Sequence, residues 1–275
     1  MQDTQSASGP GHLASASDVG TPEKRGIPRR TVVKGAAWSL PVIAAAISTP
    51  LAAASTAACS ASLTTSTATY ARLSTTASVF TWTDVFGDGK DLTLTLAAVH
   101  NGVSNMTINS TNNLTLDSSL RGGETEPSVW LALDTADLRN IGGGERVTFS
   151  FALDGAPVTV NDLTYKIKDV DGMLAQDGRG GAERVSVSSG TGAYNSAWIQ
   201  GAGTGVDPWR LNTSVPTVEV ANGSSDGNVS VTATAISAFD LTFIANNSGR
   251  AIGERPPQNI WIGPLVFTAV NPACI

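Results

Sequence analysis

The sequence predicts an all-β protein: an antiparallel, jelly-roll-like β-sandwich, preceded by a disordered leader and a signal-peptide helix. Three observations carry that expectation. Thr, Ser, Ala, Gly, Asn and Val dominate, and charged residues make up only 15% of the 275 positions; β-branched side chains suit a pleated, half-buried surface. About a dozen short runs alternate apolar with polar residues, the period of a strand with one buried face. Turn residues separate these runs roughly every 8–12 positions, the rhythm of sandwiches, and no run after residue 55 keeps a helical period.

The elements follow in order. Residues 78–99 read as a hairpin, with Leu92, Leu94 and Leu96 alternating with Thr and Gly87-Asp88-Gly89 as the turn. Residues 105–120 suggest two short polar strands about Asn112-Asn113, and 128–133 a stronger one carrying Trp130. The clearest alternation is 145–153, with Val147, Phe149, Phe151 and Leu153 on one face. Leu163, Tyr165 and Ile167 then alternate with Lys166 and Lys168. Later strands are expected at 217–221, 228–236, 240–245 and, as one run, 259–270. Alternation of this kind buries one face of each of two packed sheets. The segments expected are a leader at 1–27, a signal peptide at 28–54, an N-terminal stretch at 55–77 and the sandwich at 78–275.

Residues 28–55, PRRTVVKGAAWSLPVIAAAISTPLAAAS, give the address. Arg29-Arg30, a spacer, two apolar residues and Lys34 precede a modest apolar run and small residues, so the segment resembles a twin-arginine signal peptide cleaved between Ala54 and Ser55. Pro41 and Pro50 interrupt the run, and its apolar core is too short for a membrane anchor. Leader and signal resemble those of Actinobacteria. The expected localisation is secreted or cell-surface, with membrane contact only through the transient signal peptide. Without its first 54 residues the chain keeps 12 of 17 basic and 20 of 23 acidic groups. That acidic balance argues against nucleic acid as a partner.

Only two cysteines are present, Cys59 and Cys274. In an exported chain they suggest a disulfide, and because twin-arginine cargo crosses folded, the bond is expected to close after folding. The alternative is lipid attachment at Cys59.

The order of motifs, VTFSF, then LTYKIKDVDG, ERVSV and the closing FDLTFIA and NIWIGPLVFTAV, resembles secreted bacterial β-sandwich domains found alone or inside cell-surface and adhesin-like proteins. The resemblance covers roughly residues 78–270. It implies surface or extracellular binding, with a glycan or another surface protein as partner, and it carries over no functional residue.

Chemistry is sparse. The part after the signal has a single histidine, His100, and no nucleophile-elbow, zincin or phosphate-loop motif. No catalytic residue is assigned. Asp169, Asp171, Asp177 and Glu183 lie in a glycine-rich loop between two strands and form a candidate calcium site, since hard oxygen donors suit that ion. The alternative is a solvated acidic loop balanced by Lys166, Lys168, Arg179 and Arg184. Tyr194, Trp198 and Trp209 lie in loop-like sequence and form a candidate stacking platform for a sugar; the alternative is tryptophans folded onto the sandwich edge. Trp130 and Trp261 are expected in the core. The expected function is a non-enzymatic surface interaction or structural role, with a carbohydrate-binding module or glycan-active enzyme as the alternative.

Overall fold

The computed structural model describes residues 57–102, 106–135, 143–172, 181–212, 214, 220–247 and 258–274. Arg29, Arg30, Ala54 and Ser55, expected to belong to an export signal, lie outside them, as does Asp177. Ser55–Ile275 form one compact unit, and among the described residues its regular structure is strand, with two single 3-10 turns.

The larger sheet has nine strands. Its main path runs β1 (Ser60–Thr64), β18 (Val266–Val270), β10 (Val160–Lys168), β17 (Gln258–Ile262), β7 (Ser128–Thr135) and β5 (Met106–Ile108). β15 (Val229–Ala233) lies against the other side of β10 and carries β12 (Thr191–Tyr194), while β6 (Thr115–Asp117) adds to β7. The second sheet runs β11 (Gly181–Val187), β16 (Ala238–Asn247), β8 (Gly143–Leu153), β4 (Leu92–Gly102), β3 (Ala77–Trp82) and β2 (Thr69–Arg72), with β9 (Ala156–Pro157) beside β8. A small ribbon pairs β13 (Ile199–Gln200) with β14 (Arg210–Leu211). Every pairing among the described residues is antiparallel.

The two sheets pack face to face, as their alternation requires. Leu92, Leu94 and Leu96 of β4 and Val147, Phe149 and Phe151 of β8 are at most 1% exposed, and so are Leu163 and Ile167 of β10. Aromatic contacts cross between the sheets: Trp82 and Phe151 meet Phe267 at 5.3 and 5.0 Å, and Tyr165 lies over Phe239 at 5.4 Å. Each such ring removes a large apolar area from water and adds a directional contact.

Four details differ from the sequence expectation. The sandwich begins at β1, so residues 60–72 belong to it rather than to a separate stretch; β1 pairs with β18 over five residues. The short strands about Asn112-Asn113 do not pair with each other; both pair with β7. Residues 259–270 form two strands, because Pro264 has no N–H to continue a ladder. β17 continues along one end of β10 and β18 along the other. Finally, Trp130 and Trp261 are cross-strand partners on the outer face of the nine-stranded sheet: Trp261 is buried as expected, at 3% exposure, but Trp130 is only half-buried, and both lie outside the inter-sheet cluster. The strand expected at 217–221 falls mostly outside the described residues.

Cys59 and Cys274 form a disulfide with a Cα–Cα distance of 5.6 Å across 215 positions. It sits just beyond the β1–β18 ladder, where Asn271 also donates its N–H to the Cys59 carbonyl at 2.9 Å. The thiol that lipid attachment at Cys59 would need is therefore used in the bond.

Candidate functional site

The acids singled out by the sequence sit at one end of the sandwich. Asp169 ends β10 in a left-handed conformation, with φ 67°, which turns the chain out of the sheet. Asp171 and Glu183 are then joined reciprocally: the Glu183 N–H donates to the Asp171 carbonyl at 3.0 Å, and the Asp171 N–H donates to Glu183 Oε2 at 3.1 Å. Glu183 Oε1 accepts from the Asn259 N–H at 3.1 Å, and Asp171 Oδ2 from the Val220 N–H at 3.2 Å. Glu183 is thus a buried stitch between the sheets, reaching from β11 to the start of β17. Burial pushes its carboxyl well above the ordinary glutamate range, and the charges of Asp171 and Asp169 push it further.

Asp177, the fourth acid of the candidate calcium site, lies outside the described residues. Both Glu183 oxygens and one of Asp171 accept backbone N–H donors. Among the described residues no group of three or more His, Cys, Asp or Glu side chains is placed to hold a metal ion.

The aromatic trio does not form a platform. Trp209 is 1% exposed, and its backbone bridges to Val185 on the edge of β11 in both directions, at 2.9 and 2.8 Å. Its ring fills space left by two glycines: a Cβ at Gly192 would lie 2.3 Å from Trp209 Cζ2, and one at Gly203 2.2 Å from it. Trp198 is half-buried against the core. Tyr194 donates its hydroxyl to the Gly201 carbonyl at 2.7 Å. The trio folds the 195–212 segment onto the sandwich edge, the alternative stated above. His100 is exposed on β4, with no hydrogen-bond or ion-pair partner among the described residues.

The outer face of the nine-stranded sheet carries what the sequence reading missed. A groove of about 700 Å³ opens there. Thr164 and Lys166 of β10 form its floor, Ser62 and Thr64 of β1 one wall, and Ser230 and Thr232 of β15 the other; Leu63, Pro264 and Val266 add apolar surface. Glu124 closes one end. It pairs with Lys166, which is partly exposed, and with Lys168 at 2.9 Å, whose side chain is 0% exposed. Burial alone would raise the Glu124 carboxyl, but the two ammonium groups hold it below its ordinary value.

Beside this cluster, Trp130 and Trp261 stack at 5.4 Å, and the Arg121 guanidinium lies 4.2 Å above Trp261. Trp261 Nε1 donates to Asp117 Oδ2 and Trp130 Nε1 to Asn259 Oδ1, both at 2.9 Å. The 118–127 connection is strapped over the sheet by these contacts and by Asn228, which donates to the Gly122 carbonyl at 2.9 Å. No local signal announces any of this, because Glu124 lies more than 40 positions from Lys166.

No family model, curated protein or solved structure matches the chain.

Proposed function

We propose that the chain is exported by the twin-arginine route and works outside the membrane as a non-enzymatic binding or structural protein of the cell surface. The observation that carries the binding role is the groove across the nine-stranded sheet. Its floor and walls are hydrogen-bonded strands, so the cleft is preformed and little ordering entropy is lost when a ligand enters. The disulfide supports an oxidising, extracellular setting. The Glu124 carboxylate at the groove's end is held ionised by two ammonium groups, which favours binding over acid–base chemistry.

The hydroxyl-lined walls favour a second reading within the same site, a carbohydrate-binding module. Thr164→Arg and Thr232→Arg, which fill the groove from its floor and one wall, test both. Sedimentation of the purified domain with cell envelopes is expected to fall at least tenfold in each variant. Competition by soluble envelope glycan is expected if the ligand is a glycan, and none if it is a protein. Wild-type sedimentation by both variants would exclude the groove.

A further inference from the structure

Glu145 stands apart from the groove and from the acids of the 169–183 loop. It lies on β8 facing the other sheet and is 0% exposed. Oε2 accepts one hydrogen bond, from Asn113 Nδ2 at 2.9 Å, and Oε1 has no partner among the described residues. Asn113, also 0% exposed, is a junction. The same Nδ2 donates to the Thr75 carbonyl at 3.0 Å, and Oδ1 accepts from the Ala132 N–H of β7 at 2.9 Å. One carboxyl and one amide therefore tie together β8, the β2–β3 turn and β7, across both sheets.

Among the described residues no cation is set against Glu145. On β4 its cross-strand neighbour is His100, which is exposed and makes no ion pair. On β16 the neighbour is Phe243. On β2, Arg72 points its guanidinium at the Asn113 and Ser110 carbonyls, at 2.8 and 3.1 Å. On β7, Asp134 accepts from Asn109 Nδ2 at 2.7 Å. Arg146, the next residue on β8, pairs with Asp240 at 4.0 Å.

We propose that Glu145 is a built-in pH switch: neutral, it seals this end of the sandwich through Asn113, and ionised, it loosens the junction between β8, Thr75 and β7. An ionised carboxylate there would keep one hydrogen bond and no counter-charge in an apolar interior, a state that a buried charge avoids. Burial pushes the carboxyl up to about 8 from its ordinary 4.5, and the Asn113 hydrogen bond only partly opposes this. A folded-state value above the unfolded one means that the folded chain binds the extra proton. Stability from this group is therefore full below about pH 4.5, falls as pH rises, and is lost above about 8.

Denaturant unfolding between pH 5 and 9, with amide exchange read at the Ala132 N–H, tests the proposal on the wild type, Glu145→Gln and Glu145→Met. In the wild type this group should raise the unfolding constant about tenfold per pH unit up to its folded value. Both variants should lose that slope, so that by pH 8 they differ from the wild-type trend by roughly three decades. Exchange at Ala132 should quicken with pH more steeply in the wild type than in the variants. Slope contributed by Glu183 is common to all three proteins and cancels. Parallel profiles, with the variants shifted equally at every pH, would overturn the proposal and leave Glu145 as packing alone. Glu145→Met keeps the test decisive if the glutamine variant does not fold.

Discussion

At the scale of single residues, Trp209 is held by the absence of neighbouring side chains. Gly192→Ala, with its Cβ 2.3 Å from the indole, is expected to destabilise the domain by roughly 1–3 kcal/mol through overpacking. Trp209→Ala should cost about 3–5 kcal/mol through the cavity it leaves. Denaturant midpoints measure both. The acids make the opposite point, since both Glu183 oxygens and one of Asp171 already accept backbone donors. Melting temperatures in calcium, in matched magnesium and in chelator are therefore expected to coincide; a rise confined to calcium would show that Asp177 completes a site. Sequence reasoning found Asp171 and Glu183 as neighbours but not the backbone donors that hold them. Proximity can be read from a loop flanked by two strands, whereas the N–H groups of Val220 and Asn259 arrive from distant segments. Trp209 was ambiguous for the same reason: glycine-rich flanks look like an exposed loop, yet here the glycines make room for the ring.

At the scale of elements, alternation was a reliable guide wherever one face is apolar and the other polar. β4, β8 and β16 were legible in this way, and so was the inward row Leu163, Tyr165 and Ile167 of β10. It failed for β1 and β2, whose sequences SASLT and TYAR are edge strands with little apolar content. It found Trp261 buried but not that the burial lies under the outer roof, and it put half-buried Trp130 in the core, because a strand roofed on its outer face reads as apolar on both sides. The roof itself is testable. Glu124→Gln leaves Lys168 buried without its counter-charge and is expected to cost about 3–5 kcal/mol, the penalty for breaking a buried pair from one side. Lys168→Met removes the buried charge and should cost far less. Chemical denaturation of the two variants gives the order, and equal costs would mean that the pair is solvated.

At the scale of the whole molecule, the disulfide closes a fold that strand pairing already holds. Five residue pairs join β1 to β18, so Cys59→Ala is expected to fold in the cytoplasm and to be exported, with a lower melting temperature. The loss is at most about 4–5 kcal/mol in the chain-entropy account of so long a loop. Failure to fold without the bond would show that the ladder alone is insufficient. Export itself is tested by replacing Arg29 and Arg30 with Lys: precursor should accumulate inside the cell, and normal secretion would exclude the route. The proposed address rests on a linear motif, which needs no fold to be read. The groove was the least readable, because it is assembled from β1, β10, β15 and the 118–127 strap.

The β1–β18 pairing also decides how the molecule carries load. The two strands are antiparallel neighbours whose cysteines meet at one corner, with Cα atoms 5.6 Å apart. Tension applied between the chain ends passes through the sulfur–sulfur bond and bypasses the core, so the oxidised domain transmits force without extending. Once reduced, the same pull opens the ladder one pair at a time from Ser60 and Val270, the low-force peeling direction, instead of shearing all its hydrogen bonds together. Single-molecule extension should show an inextensible oxidised unit and, after reduction, early release of β1. An oxidised domain that lengthened between its cysteines under load would contradict that force path.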